Sequence, residues 1–151
     1  MKKSINAATA FLKGAQKSDI GHDNQCPRAV VRAAVLSRGI IASCGRNKLY
    51  DSFDGCSCDD NADTTKEGSK TCKSIHAELS ALMDAWSKGY LQEEVGTIAV
   101  TRPPCRICCA TLLETDIKTI VTIDKFDDRD GSKEVWESAG REWIILKGED
   151  L

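Results

Sequence analysis

The sequence predicts an α/β fold, a three-layer α/β/α sandwich with a mixed sheet of about five strands, in a single domain spanning residues 1–151. Three observations lead there. Short β-rich runs recur along the chain, and stretches with apolar residues at helical spacing lie between several of them. A length of 151 residues suffices for one domain with a real core.

Formal net charge is −2, with 21 basic and 23 acidic residues interspersed. That balance gives no general electrostatic grip on nucleic acid, so no stable nucleic-acid partner is expected. No apolar run is long enough to span a bilayer, and Met1-Lys2-Lys3-Ser4-Ile5-Asn6 lacks the continuous apolar core of a signal peptide. The expected compartment is the cytoplasm, with no membrane partner. Eight cysteines would suggest disulfides in a secreted chain of this size. Without a secretion signal, and with two of them spaced C-x-x-C behind a proline, metal binding is the stronger expectation.

Ile5, Ala8, Leu12 and Ala15, with Phe11 close by, predict an amphipathic helix over residues 3–17. A polar loop from Ser18 to Gln25 follows, and its His22 reads as a solvated loop histidine rather than a ligand. Ala29 to Leu36 and Ile40 to Cys44, around the turn Ser37-Arg38-Gly39, predict a β-hairpin. From Leu49 to Lys73 the chain is polar and irregular, a length usually functional or tied down by something else.

Leu79, Leu82, Met83 and Trp86 fall at i, i+3, i+4 and i+7 and predict a helix, with Ser74 as its N-cap and Gly89 as its terminator. Thr97 to Thr101 predicts a strand. Pro103-Pro104 breaks it and opens a helix that runs to about Thr115. Ile117 to Ile123 predicts a strand, Lys133 to Ala139 a helix and Glu142 to Leu146 a final strand, with Gly140 in the last break.

Two stretches carry chemistry, His76-Ala77-Glu78 and Pro104-Cys105-Arg106-Ile107-Cys108. One imidazole and two thiolates make three ligands for Zn²⁺ and leave its fourth tetrahedral position open. Zinc lowers the pKa of a water in that position towards about 7. Glu78, two residues from the histidine, can move protons beside it. A lone His-x-Glu arises by chance, and a lone C-x-x-C also suits a redox protein or half of a structural zinc site. Together they point to a catalytic zinc centre with His76, Cys105 and Cys108 as ligands and Glu78 as the catalytic carboxylate. Cys109, turned about 100° from Cys108 around the helix, reads as core. Cys26, Cys56, Cys58 and Cys72 would form a second, closed and structural zinc site, which would also tie down the polar stretch.

The H-x-E and P-C-x-x-C pair resembles the signature of zinc nucleobase deaminases. From Cys26 to Ile145 the chain resembles the cytidine deaminase superfamily, and within it the deoxycytidylate (dCMP) deaminases. The similar features are Cys26-Pro27-Arg28 before the hairpin, Gly45-Arg46-Asn47, Cys58-Asp59-Asp60, Cys72 to Glu78, Val100-Thr101 leading to Pro104-Cys105, Phe126, and Ala139-Gly140. The chain departs from the family at Arg32, at Arg46 and Lys48 beside Asn47, and at Ala99.

The resemblance implies hydrolytic deamination of dCMP to dUMP with release of ammonia. It gives Asn47 the deoxyribose, makes Arg28, Arg46 and Lys48 candidates for the 5′-phosphate, and adds Ala77 and Phe126 to the substrate contacts. It also implies a homo-oligomer, often a hexamer, and regulation by dCTP or dTTP. Other readings stay open: a deaminase of dCTP, cytidine, guanine or a tRNA adenosine, a non-catalytic zinc-stabilised binding module, or a thiol redox protein using Cys105 and Cys108.

Overall fold

Along Arg32–Ser37 (β1), Ala33 and Val35 face one side of the sheet and Ala34 and Leu36 the other, and all four are buried. A strand covered on both faces needs helices on both sides. The computed structural model describes residues 1–17, 30–48, 74–128 and 130–151, and within them the chain meets that need. His22, Cys26, Arg28, Cys56, Cys58 and Cys72, and with the last four cysteines the second metal site, lie outside the described residues.

Lys2–Lys17 (α1) covers one face, with Ala8 and Leu12 against Ala34, Leu36, Ala99, Val121 and Ile123. The other face carries Ala77–Ser87 (α2), Arg106–Leu113 (α3) and Ser132–Ser138 (α4). There Ala77, Ala81, Leu82, Ala85, Cys109, Leu112 and Trp136 pack with Ala33, Val35, Ile98, Val100 and Ile120. The remaining strands are Ile40–Arg46 (β2), Val95–Val100 (β3), Thr119–Ile123 (β4) and Glu142–Leu146 (β5).

The sheet order is β2-β1-β3-β4-β5. β1 pairs antiparallel with β2 and β3, whereas β3–β4 and β4–β5 are parallel, so the sheet is mixed. The hairpin turns on Arg38 (φ 51°) and Gly39 (φ 83°), the two positive φ values that a tight hairpin turn requires. A Cβ on Gly39 would stand 2.7 Å from the Lys3 Cβ, so the turn also sets how α1 lies on the sheet. Among the described residues no helix is long and apolar enough to cross a membrane.

Two expectations change at α2. The helix begins at Ala77 with His76 as its N-cap, not Ser74. Ile75 exchanges backbone hydrogen bonds with Lys48 (3.1 and 2.9 Å), which holds it extended and delays the helix. The apolar stripe has also moved. Met83 and Trp86 are 49% and 43% exposed, and small alanines take the buried face, where they allow α2 to approach β2 closely.

The C-terminal end of α3 is fastened by Arg141. Its Nη1 donates to the carbonyls of Leu112 (3.0 Å) and Ile117 (2.7 Å), its Nη2 to that of Leu113 (2.7 Å), and its guanidinium lies 4.9 Å from the Trp136 ring centroid. Helix-end carbonyls lack intrahelical donors, so the guanidinium supplies what the short helix cannot. Arg141→Met is expected to cost about 2 kcal/mol or more, measured by urea unfolding, because charged hydrogen bonds to partly buried acceptors are lost. Arg141→Lys should recover only part, since an ammonium cannot reproduce the fork.

Candidate metal centre

Because β1 runs against β3 and β2, the start of β1 and the ends of β2, β3 and β4 share one end of the sheet. The candidate residues gather there. At the end of β2, Asn47 is buried and its Oδ1 accepts the Val31 N–H at 2.8 Å, while its own N–H donates to the Val31 carbonyl at 3.2 Å. Arg46 and Lys48 flank it and are exposed. At the start of β1, the Arg32 N–H donates to Thr101 Oγ1 at 3.0 Å, which ties β1 to the segment leaving β3.

The Lys48–Ile75 bridge places His76 beside the end of β2. His76 has extended backbone (φ −73°, ψ 153°), as an N-cap does, and its carbonyl accepts the Ser80 N–H at 3.0 Å. Ala77 is fully buried, and Glu78 follows in the first turn, 3% exposed. On the neighbouring helix Cys105 is the N-cap, and its Sγ accepts the Cys108 N–H at 3.5 Å. Asp130 Oδ2 takes the next open N–H, that of Arg106, at 3.3 Å. Asp128 caps α4 by accepting the N–H groups of Ser132 (3.1 Å) and Lys133 (2.7 Å).

These two helix starts bring His76, Cys105 and Cys108 together, with their ligand atoms all within 4.8 Å of one another. His76 Nδ1 lies 3.5 Å from Cys105 Sγ and 3.2 Å from Cys108 Sγ. Tetrahedral zinc with ordinary bond lengths separates a nitrogen and a sulfur ligand by about 3.6 Å, so the trio fits that ion with small adjustment. Cys44, Cys105, Cys108 and Cys109 are free thiols, and Cys109 packs in the core, 1% exposed.

The electrostatics suit a cation. A hydrogen bond from Cys108, followed in size by burial acting the other way, leaves the Cys105 thiol pulled down to about 4. The same bond, with burial, raises Cys108 far above its ordinary value. The two thiols thus hold one proton between them, which a dication would displace. Burial is the largest cause raising the Glu78 carboxyl above the ordinary carboxylate range; His76 and the Glu78 backbone N–H oppose it in part. A buried carboxyl whose affinity for a proton is raised in this way is suited to passing protons.

Phe126, just past β4, is half-buried, and the Arg102 guanidinium lies 4.1 Å from its ring centroid. Arg102, Asp130 and Ser43, which donates to the Ala81 carbonyl at 2.5 Å, were not among the residues the sequence singled out. None belongs to a spaced motif. The one available signal was the position of Arg102, three residues before the first metal-type cysteine.

A mixed sheet with an open His/Cys/Cys cluster at its carboxyl end defines a zinc deaminase type of domain. The chain belongs to the cytidine and deoxycytidylate deaminase zinc-binding family, whose match spans residues 5–124. ComE operon protein 2 of Bacillus subtilis is 26% identical over 120 residues, covering 76% of this chain and 59% of that protein. The chain thus spans about three fifths of the length of that relative. In fold it is similar to the dCMP deaminase of cyanophage S-TIM5, solved with dCMP and dUMP (TM-score 0.68, 22% identity, 91% of this chain and 94% of that one). It is also similar to the diaminohydroxyphosphoribosylaminopyrimidine deaminase/5-amino-6-(5-phosphoribosylamino)uracil reductase of Thermotoga maritima (TM-score 0.63, 23% identity, 93% of this chain and 36% of that one).

Proposed function

We propose that the protein is a zinc-dependent hydrolase that converts dCMP to dUMP and releases ammonia, with the 151 residues as one deaminase domain. The observation that carries this reading is the His76–Cys105–Cys108 cluster with buried Glu78 beside it, in a chain of this family. Its likeness in fold to the cyanophage dCMP deaminase supports the choice of nucleotide.

Zinc held by His76, Cys105 and Cys108 would supply an acidified water for attack on C4 of cytosine. Glu78 accepts a proton from the attacking water and delivers it to ring N3; it then takes the proton of the new C4 hydroxyl and passes it to the amine, which leaves as ammonia while the C4 carbonyl forms. Asn47 holds the sugar beside that centre. Ala77, fully buried at the helix start, and Phe126 line the base, and Arg28, Arg46 and Lys48 supply positive charge for the phosphate.

A second zinc, structural and held by Cys26, Cys56, Cys58 and Cys72, belongs to the same reading on the strength of the sequence. Thiolate ligands persist in a reducing compartment, which supports a cytoplasmic location. Self-association is supported by apolar side chains left at the surface of α2 and α3, Met83, Trp86 and Ile107, the last 71% exposed.

Ammonia release is the test, on dCMP, dCTP, deoxycytidine, cytidine and guanine. Selective turnover of dCMP is expected; preference for another member of the panel moves the substrate, and no turnover by zinc-loaded protein overturns the reading. Elemental analysis should give two zinc atoms per chain. One atom, with Cys26, Cys56, Cys58 and Cys72 freely titratable in the folded protein, sinks the structural site.

A further inference from the structure

The helix that carries both thiol ligands, α3, has eight residues, and a helix that short is marginal in water on its own. Its C-terminal end is held from outside by Arg141. Its start needs similar help. The N-cap is Cys105, whose sulfur is a weak acceptor and serves the Cys108 N–H at 3.5 Å. Preferred caps offer a side-chain oxygen instead.

An oxygen comes from a different part of the chain. Asp130, on the loop between β4 and α4, accepts the Arg106 N–H at Oδ2, 3.3 Å away. That loop is itself fixed at its far end. Asp128 accepts the N–H groups of Ser132 and Lys133 at 3.1 and 2.7 Å, and Gly131 (φ 67°) turns the chain from Asp130 into α4. The Ser132 carbonyl in turn accepts the Cys109 thiol at 3.4 Å. The loop therefore grips the first turn of α3 at Arg106 and at Cys109, which bracket Cys108. His76 stands at the start of another helix. Its Nδ1 distances of 3.5 and 3.2 Å to the two sulfurs thus depend on where the loop holds α3.

We propose that Asp130 is a positioning residue for the metal centre, holding the first turn of α3 where both thiolates meet His76. The inference rests on the zinc reading of that cluster and is independent of the substrate. The role requires an oxygen acceptor rather than a charge, because two thiolates already neutralise a dication. Groups of this kind orient metal ligands without touching the metal.

The test compares wild type with Asp130→Ala, Asp130→Asn, Asp130→Glu and Arg141→Met. Zinc affinity is read by competition with a chromophoric chelator. Coordination is read from the thiolate-to-metal charge-transfer band of the cobalt(II)-loaded protein. The part of each signal lost in Cys105→Ala belongs to this site. Asp130→Ala should weaken zinc about tenfold or more, as loss of a ligand-orienting group does, and should shift the cobalt band. Asp130→Asn keeps the acceptor and should stay close to wild type in both. Asp130→Glu keeps the charge but carries its oxygens one methylene further, and should lie between them. Arg141→Met loosens the far end of the same helix and should leave affinity and band unchanged. Unchanged affinity in Asp130→Ala overturns the proposal. So does a loss in Asp130→Asn or in Arg141→Met equal to that in Asp130→Ala. Should Asp130→Ala fail to fold, the order of Asp130→Asn above Asp130→Glu decides, and equal affinities in those two overturn the proposal. Wild type that loses no metal signal in Cys105→Ala strikes the zinc reading and the proposal together. Zinc bound at this site with Asp130→Ala unchanged strikes the proposal alone.

Discussion

Glu78→Gln is expected to keep its metal and to lose turnover by about 10²- to 10⁴-fold, the range in which a positioned proton-transfer group acts. The substitution keeps the size and hydrogen-bonding reach of the side chain but cannot carry a proton. Glu78 is 3% exposed at the start of α2, two residues beyond a proposed ligand, so bulk water gives poor access for a substitute base. The fall should lie in kcat, with KM little changed, and the zinc content should match wild type. Ammonia release and elemental analysis on the same preparation check both halves. A loss smaller than tenfold would mean that another group moves the proton.

Gly45→Ala is expected to damage stability and metal affinity together. A Cβ at Gly45 would stand 2.5 Å from the Ala77 carbonyl oxygen, 2.9 Å from the Ala81 Cα, and against the Ala81 nitrogen. All three are helix backbone, so relief requires α2 to move off β2. The Ser43 hydroxyl bond to the Ala81 carbonyl would go with it. Overpacking of this kind costs about 1–3 kcal/mol. For a chain of this size each kcal/mol lowers the Tm by roughly 2–4 °C. The helix that moves carries His76 at its start, whereas Cys105 and Cys108 stand on α3. Zinc affinity, read by competition with a chromophoric chelator, should therefore fall as well. Gly14→Ala is the control, because a Cβ there meets nothing within 4 Å. A Gly45→Ala melt equal to wild type would show that the contact between β2 and α2 yields without cost.

Local chemistry made much of the fold readable. Arg38-Gly39 between two β-rich runs announced the hairpin, and Pro103-Pro104 marked where β3 ends and a helix opens. The clustering of the candidate site was legible for the same reason, since His76 and Glu78, and Cys105 and Cys108, are each pairs within one helix start. What stayed hidden depends on partners far along the chain. The Lys48–Ile75 bridge moved the start of α2 past Ser74, and close packing on β2 put alanines where the periodicity favoured Met83 and Trp86. Arg102 with Phe126, Asp130 with Arg106, and Arg141 with α3 join residues that no short spacing links.

The bridge between Lys48 and Ile75 has a consequence for how this domain can change. The chain departs from the sheet edge and returns to it through a single doorway, closed by two backbone hydrogen bonds. Ends that close together can be joined by a tight turn or by a long excursion, and lengthening the excursion is cheap, about 0.6 kcal/mol per doubling. The pairing of Lys48 with Ile75 anchors His76 beside the end of β2 through contacts that do not involve the side chains of either residue.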